Sequence, residues 1–240
     1  MDDELRAFHG EQGIKDQYLA RVMLHREADR LIQGTGWERG KGCAVGCTLE
    51  AYDHSRYPIE LGIPEVLARL EDRIFEGLPK ADAMEWPERF LDAPQPGADL
   101  SGVWPAFADW LLADPTHGVI RFAQTDEQRA VIAEIAGMWR DRVPLGDTRW
   151  RAARDKAWDV RQSAAAYAAD AAYAAAAANA YAADDDDDAA AAAAAANAYA
   201  ADDDDAAAAA ARHAHWKACA DKLVELMKVA PSPAPGSDKK

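Results

Sequence analysis

The stretch PEVLARLEDRIFEGL, residues 64–78, decides the fold class. Its large apolar residues recur at spacings of three and four, which is one face of an α-helix: Leu67, Leu70, Ile74 and Leu78. Pro64 suits the first turn, Glu65 suits the positive end of the helix dipole, and Gly77 ends the pattern. We therefore predict an amphipathic helix that buries this face in a core.

Other segments on both sides of this helix have the same amphipathic character: DQYLARVMLHREADRLI (16–32), EWPERFLDA (85–93), VWPAFADWLLAD (103–114) and DEQRAVIAEIAGMWRDRV (126–143). No stretch alternates convincingly with period two, although GVIRFA (118–123) and CAVGCTL (43–49) are candidates for short strands. We predict an all-α protein, in which a helical domain with an ordered Gly/Cys-rich loop precedes an alanine-rich antiparallel helical unit.

The second half of the chain changes composition at about Trp150 and becomes rich in alanine, the strongest helix former. The nine residues NAYAADDDD occur twice, starting at 179 and at 197. Consecutive aspartates repel within a helix but suit its first turn, so we expect a break at each block. Three helices near 150–183, 189–201 and 206–229 would then fold back on one another.

One continuous helical rod through the aspartates is the alternative, and its pairing with a second chain leaves a homo-oligomer open. The predicted divisions are a helical domain at 1–145, the alanine-rich unit at 146–230 and a disordered tail at 231–240. The tail, PSPAPGSDKK, has the composition of a chain end without a core.

Negative charge is concentrated in the two aspartate blocks. The net charge is −15, and nine of the acidic residues are consecutive aspartates: Asp184, Asp185, Asp186, Asp187, Asp188, Asp202, Asp203, Asp204 and Asp205. Phosphate binding needs clustered Lys and Arg, so the composition argues against direct nucleic-acid or anionic-membrane binding. These blocks are the predicted interaction residues for a protein partner with a basic surface.

Neither a membrane span nor an export signal is visible. No run of about 18 bulky apolar residues occurs, and MDDELRAFHGEQG at the start lacks an apolar signal region. Three cysteines, an odd number, argue against a disulfide framework. We expect a cytoplasmic protein.

Residue types suited to binding or catalysis are most concentrated in residues 34–54, GTGWERGKGCAVGCTLEAYDH. The spacing fails the phosphate-loop pattern, because Gly36 and Gly40 are separated by three residues and Gly42 follows Lys41. A glycine loop can still bind an anion through its amides, which remains a minor alternative. Trp37, inside this loop, is the tryptophan expected to be exposed for an interaction.

The loop has two functional interpretations, a zinc site and a catalytic site, beside a purely structural one. A zinc site would use Cys43, Cys47, His54 and His25, although C-x3-C is not the usual knuckle spacing. Nucleophilic catalysis would use Cys47, with His54 and Asp53 as its partners. The favoured interpretation is that the thiols are small buried hydrophobes and that Asp53 and His54 close the loop, so no cofactor is predicted.

The run GKGCAVGCTLEAYDHSRYPIELGIPEVLARLEDRIFEGLP (40–79) and the Ala/Asp/Tyr-rich second half resemble uncharacterised proteins of bacteria and their phages. This resemblance implies no activity and gives no residue a role. In composition, the alanine-rich half is also similar to immunity proteins of toxin systems.

For function we expect a non-enzymatic binding or inhibitor protein of a phage or mobile element, whose acidic surfaces block a basic, nucleic-acid-handling host defence protein. A toxin-neutralising immunity protein is one alternative. An enzyme, or a small-ligand or metal binder that uses the Gly/Cys loop, is the other.

Overall fold

The computed structural model describes residues 5–162 and 206–232. This part of the chain is mostly helical, which confirms the all-α prediction. The helices are α1 (Gln12–Glu27), α2 (Ala44–Leu49), α3 (Arg56–Leu61), α4 (Glu65–Gly77), α5 (Lys80–Asp92), α6 (Val103–Ala113), α7 (Asp126–Arg140), α8 (Thr148–Gln162) and α9 (Ala206–Lys228). Short 3₁₀ turns occupy Ala7–Gly10 and Val119–Phe122.

The helix predicted from residues 64–78 is α4, and it begins and ends close to the predicted residues. Pro64 is its N-cap, and Leu78 follows its last residue, Gly77. All four apolar residues of the predicted face are buried: Leu67, Leu70, Ile74 and Leu78. The periodicity of large apolar side chains therefore identified the face that packs into the core.

Both candidate strands are helical instead. Residues 119–122 form a 3₁₀ turn, and residues 44–49 form α2, with Cys43 as its N-cap. Short apolar runs do not distinguish a strand from a buried helix. The observed strands β1 (Trp37–Glu38) and β2 (Lys41–Gly42) lie just before the first of these candidates, residues 43–49, and form an antiparallel hairpin.

The chain divides into two compact units, residues 1–104 with 220–240 and residues 105–219. The sequence-based boundary between 145 and 146 falls inside the second unit. In the first unit, α5 packs against α1 and α4, and α2 contacts α1, α4 and α5. Its largest fully buried side chains include Trp86, Tyr57, Phe75 and Phe90.

In the second unit, α7 packs against α8. The rings of Trp139 and Trp150 lie 4.7 Å apart, and both side chains are buried. The side chain of Thr125 accepts a hydrogen bond from the backbone N–H of Gln128, and the Gln128 side chain in turn accepts one from the backbone N–H of Thr125, which fixes the start of α7. Tryptophans thus supply bulk to the helices of this unit.

The aspartate blocks, the predicted helix at 189–201, and the choice between a bundle and a rod all lie outside the described residues. So do residues 233–240 of the predicted tail. The predicted helix near 206–229 corresponds to α9, Ala206–Lys228. Among the helices within 5–162 and 206–232, none is long and apolar enough to cross a membrane.

Candidate functional site

The Gly/Cys loop begins with a tight hairpin. Trp37 pairs with Gly42 and Glu38 pairs with Lys41. The two residues at the turn, Arg39 and Gly40, both have positive φ, at 52° and 76°. This is the geometry that matches the twist of a two-residue hairpin, and it explains a glycine at the second turn position.

Two other glycines let the hairpin lie directly against α2. A Cβ on Gly42 would stand 2.1 Å from the carbonyl oxygen of Gly36, and a Cβ on Gly46 would stand 1.9 Å from the same atom. No real Cβ tolerates such distances, so both positions require glycine. The Gly36 oxygen in turn accepts a hydrogen bond from the Cys43 N–H at 3.0 Å.

Backbone N–H groups of the loop donate hydrogen bonds to other groups of the protein. The Cys43 N–H also donates to the Thr35 carbonyl at 2.7 Å, and the Gly42 N–H donates to the Arg30 carbonyl at 3.0 Å. The Gly34 N–H donates to the Glu76 carboxylate at 2.7 Å. These N–H groups are therefore already bonded, and the glycines serve close packing of the loop where a phosphate loop would hold an anion.

The loop is also fixed to the C-terminal end of α4. The Gln33 side-chain amide donates to the carbonyl of Phe75 at 2.7 Å and to that of Leu78 at 2.9 Å. Carbonyls at a helix end lack partners within the helix, so this amide caps α4. Loop and helix form one rigid support for the side chains that follow.

A polar cluster of Tyr52, His54, Asp72 and Cys43 lies where the end of the loop meets the middle of α4; we call it the rim cluster. The Tyr52 hydroxyl donates to Asp72 Oδ2 at 2.9 Å, and His54 Nε2 lies 3.4 Å from the same oxygen. Burial acts to raise the pKa of Asp72, but hydrogen bonds from His54, Cys43 and Tyr52 prevail and lower it. Asp72 is therefore ionised at neutral pH.

Tyr52 is the exposed member of the rim cluster. It is 54% exposed, although its hydroxyl is bonded to Asp72. A Cβ on Gly36 would lie 2.6 Å from Tyr52 Cγ, so the ring rests on the bare backbone of Gly36. The ring centroids of Tyr52 and His54 are 5.0 Å apart in an edge-to-face arrangement. Three contacts thus hold an exposed aromatic ring in one orientation.

The neighbouring residue, Glu71, faces the core and is fully buried. The Tyr57 hydroxyl donates to Glu71 Oε2, and the indole N–H of Trp86 donates to the Glu71 backbone carbonyl at 2.9 Å. Burial raises the pKa of Glu71 well above its usual range, and the nearby Asp72 charge raises it further. Glu71 therefore keeps its proton to a higher pH than a free carboxyl, whereas Asp72 loses its proton at a lower one.

Both loop thiols are buried, Cys43 at 1% exposure and Cys47 at 0%. Cys43 Sγ accepts from the Gly46 N–H at 3.4 Å as the α2 cap, and the Cys47 thiol donates to the Gly42 carbonyl at 3.4 Å. Burial raises the pKa of Cys47 to about 12, and that of Cys43 higher still. Neither sulfur is a thiolate at neutral pH, so neither is activated as a nucleophile.

The three residues predicted for catalysis have different partners. Asp53 accepts hydrogen bonds from both the backbone N–H and the hydroxyl of Ser55, at 3.1 and 2.6 Å, and closes a turn. These bonds, above all the one from the hydroxyl, lower the pKa of Asp53. His54 pairs with Asp72, and Cys47 pairs with backbone carbonyls.

The residues predicted for a zinc site likewise have separate partners. His25 Nε2 lies 3.3 Å from Glu50 Oε1, whereas His54 faces Asp72. Within residues 5–162 and 206–232, no group of three or more His, Cys, Asp or Glu side chains is placed to hold a metal ion. Trp37, the predicted exposed tryptophan, is half-buried, with its ring 5.5 Å from that of His25.

The site predicted from the sequence did not include Asp72, Glu71 or Tyr52. The sequence held one indication of a role for Glu71, which falls four residues after Leu67 and three before Ile74, on the apolar face of α4. A carboxyl group on a core face needs a partner or a proton. The pairing of Asp72 with Tyr52 and His54 had no such signal, because it depends on how the loop returns to the helix.

The chain matches no protein-family model, no curated protein and no solved structure.

Proposed function

We propose that this protein is a non-enzymatic inhibitor that binds a basic, nucleic-acid-handling protein through clustered carboxylates. The observation that carries the proposal is the charge distribution. Nine of the acidic residues stand in two blocks, 184–188 and 202–205, in a chain of net charge −15. A duplex is likewise a dense array of negative charge, and proteins that bind it present clustered Lys and Arg.

The Gly/Cys loop supports a binding role over thiol chemistry. Its two thiols are buried and protonated, and the loop amides that would bind an anion donate to carbonyls and to Glu76. What the rim cluster exposes to solvent is the ring of Tyr52, oriented by the mostly buried carboxylate of Asp72. An exposed tyrosine held in one orientation is a recognition group for a protein surface.

The test is displacement of DNA-binding proteins from immobilised duplex DNA. Basic proteins of a bacterial extract are loaded on DNA-cellulose at low salt, and the purified chain is added. We expect it to release a subset of them, with release falling as salt rises, because charge attraction between exposed groups is screened over about 10 Å at 0.1 M ionic strength.

A variant with all nine block aspartates changed to asparagine should release none. The matched control neutralises nine exposed carboxylates elsewhere, as the Asn or Gln variants of Glu11, Glu27, Asp29, Glu38, Glu85, Glu127, Asp141, Asp155 and Asp159. Both variants have the same net charge, and the control should retain release. Equal release by the block variant and the native chain would refute the proposal, as would equal loss in both variants.

A further inference from the structure

One tyrosine of this chain already shows how a tyrosine–carboxylate pair is completed by a cation. The Tyr18 hydroxyl donates to Glu60 Oε2, and the Arg21 guanidinium lies over the Tyr18 ring, 4.8 Å from its centroid. Tyr18 is only 6% exposed. A guanidinium over an aromatic face is a favourable electrostatic contact, because the face of the ring is negative.

Tyr52 repeats the first part of this arrangement at the surface. Its hydroxyl donates to Asp72 as that of Tyr18 donates to Glu60, but its ring is 54% exposed. In the described part of the chain, the cation–π contacts involve Phe8, Tyr18 and Phe122, and none involves Tyr52.

The surroundings of Tyr52 favour a cation over that ring. Asp72 is ionised beneath the hydroxyl, and the exposed residues Glu50 and Asp53 lie on either side in sequence. Burial raises the pKa of Tyr52, and the nearby carboxylates of Asp72 and Glu76 raise it further. The environment is therefore electronegative where the ring is open.

We propose that Tyr52 is a docking point for an arginine side chain of the protein partner, with the guanidinium placed over the ring and beside the carboxylate of Asp72. This inference rests on the proposed function insofar as the partner is basic. The ring is held by Gly36, His54 and Asp72 before binding, so little conformational freedom is lost when the partner arrives. Such preordered tyrosines are frequent anchors of protein interfaces.

The experiment uses the full chain with ¹³C-labelled tyrosine rings and two small probes. Nα-acetyl-arginine amide carries the guanidinium, and Nα-acetyl-citrulline amide has nearly the same shape without the charge. Each is titrated to about 0.2 M at constant ionic strength, because an isolated exposed cation–π contact is weak. The Tyr52 signal is assigned by its loss in Tyr52→Leu.

We expect the arginine probe to shift the Tyr52 signal progressively, and the citrulline probe to give a shift about fivefold smaller. Buried Tyr18, already covered by Arg21, is the internal control and should not move. Equal shifts with both probes, or no shift with arginine, would overturn the inference. Tyr52→Leu should also weaken displacement from DNA-cellulose severalfold if the docking point acts in the complex, and unchanged displacement would contradict it.

The two proposals fail in different ways. If the block variant still displaces proteins from DNA while Tyr52 responds to arginine, the role of the aspartate blocks is wrong and the docking point stands. If the block variant loses displacement and Tyr52 gives no arginine-specific shift, the docking point is wrong and the acidic blocks remain the interaction surface.

Discussion

Glu71 and Asp72 are neighbours on α4, yet their environments shift their pKa values in opposite directions. Glu71 points into the core, where burial raises its pKa and the Tyr57 hydroxyl donates to its Oε2. Asp72 lies at the rim, where the Tyr52 hydroxyl donates to its Oδ2 and His54 pairs with the same oxygen, and its pKa is lowered. Two neighbouring residues of the helix therefore place a carboxyl of raised pKa in the core and a carboxyl of lowered pKa at the rim.

The difference shows what decides the charge of a partly buried carboxyl. Asp72 is itself mostly buried, with 14% of its side chain exposed, so exposure alone does not separate the two groups. The interactions that each carboxyl group makes separate them. Burial penalises the charged form, and each hydrogen bond to the carboxylate offsets that penalty. The core side of α4 thus provides stability, and the rim side holds Tyr52 in place.

Gly46→Ala, in α2, should disturb the contacts on both the core side and the rim side of α4. We expect it to have the largest effect on stability. Its Cβ would stand 1.9 Å from the Gly36 carbonyl oxygen, which is backbone and has no rotamer to change. We expect a loss of about 3 kcal/mol in the free energy of unfolding, as for a severely overpacked core position. Urea denaturation followed by tryptophan fluorescence and circular dichroism measures it.

The control for this variant is Gly13→Ala in α1, where a Cβ would meet nothing within 4 Å. It should be neutral or stabilise the protein by at most about 1 kcal/mol, since alanine favours a helix. If Gly46→Ala unfolds at the same urea concentration as the native chain, then α2 does not depend on contact with Gly36.

The same glycines show where sequence reasoning succeeded and where it ended. The face of α4 followed from the spacing of Leu67, Leu70 and Ile74, because a helix brings residues three and four apart together. The GTGWERGKGCAVGC segment was predicted as an ordered loop, but its glycines were not assigned to packing. That role requires knowing that the carbonyl of Gly36 lies against Gly42 and Gly46, which is a tertiary contact.

The candidate site was predicted only in part. His54 and the cysteines were singled out, but their partners were sought among sequence neighbours such as Asp53. The observed partner of His54 is Asp72, 18 residues away on α4. Local hydrogen bonds, such as Asp53 to Ser55, follow from adjacent residues, whereas pairs between a loop and a helix depend on the packed fold.

Tyr57→Phe should damage the core side alone. It removes the donor to Glu71 Oε2 and leaves a fully buried acceptor without a partner. We expect a loss of about 2 kcal/mol in the free energy of unfolding, the usual cost of an unsatisfied buried polar group. A double-mutant cycle with Glu71→Leu, which removes the acceptor, isolates the contact, and a coupling energy near zero would show that the two side chains do not stabilise each other.

Glu71→Gln tests the protonation difference directly. A carboxyl with a raised folded-state pKa stabilises the protein fully below its unfolded pKa of about 4.5, and this stability is lost as pH rises through the folded pKa. The native chain should therefore lose stability above pH 4.5, with a slope of at most about 1.4 kcal/mol per pH unit from this group. Glutamine does not titrate, so the variant should gain stability relative to the native chain as pH rises.

Urea denaturation at a series of pH values from acidic to weakly alkaline measures this difference. Glu127→Gln, at an exposed carboxyl of α7, is the matched control and should run parallel to the native chain. Parallel curves for Glu71→Gln and the native chain would mean that Glu71 is ionised in the core.

Tyr52→Phe should have the smallest effect on stability and act only at the rim. It removes one of the donors to Asp72 and leaves the ring on Gly36, so we expect a loss of about 1 kcal/mol in unfolding free energy at neutral pH. Because the folded pKa of Asp72 is lowered from 3.8, its stabilisation is present above that pH and is lost as pH falls through the folded value.

With the Tyr52 hydroxyl gone, the folded pKa of Asp72 should rise towards 3.8, and the stability that it contributes should shrink accordingly. Carboxyl ¹³C NMR of the native and variant chains follows this pKa directly. Asp53 provides the reference within the same spectra, because its donors come from Ser55 and are unaffected by Tyr52. An unmoved Asp72 pKa would mean that His54 and Cys43 alone hold the charge, and that Tyr52 is free to turn away from α4.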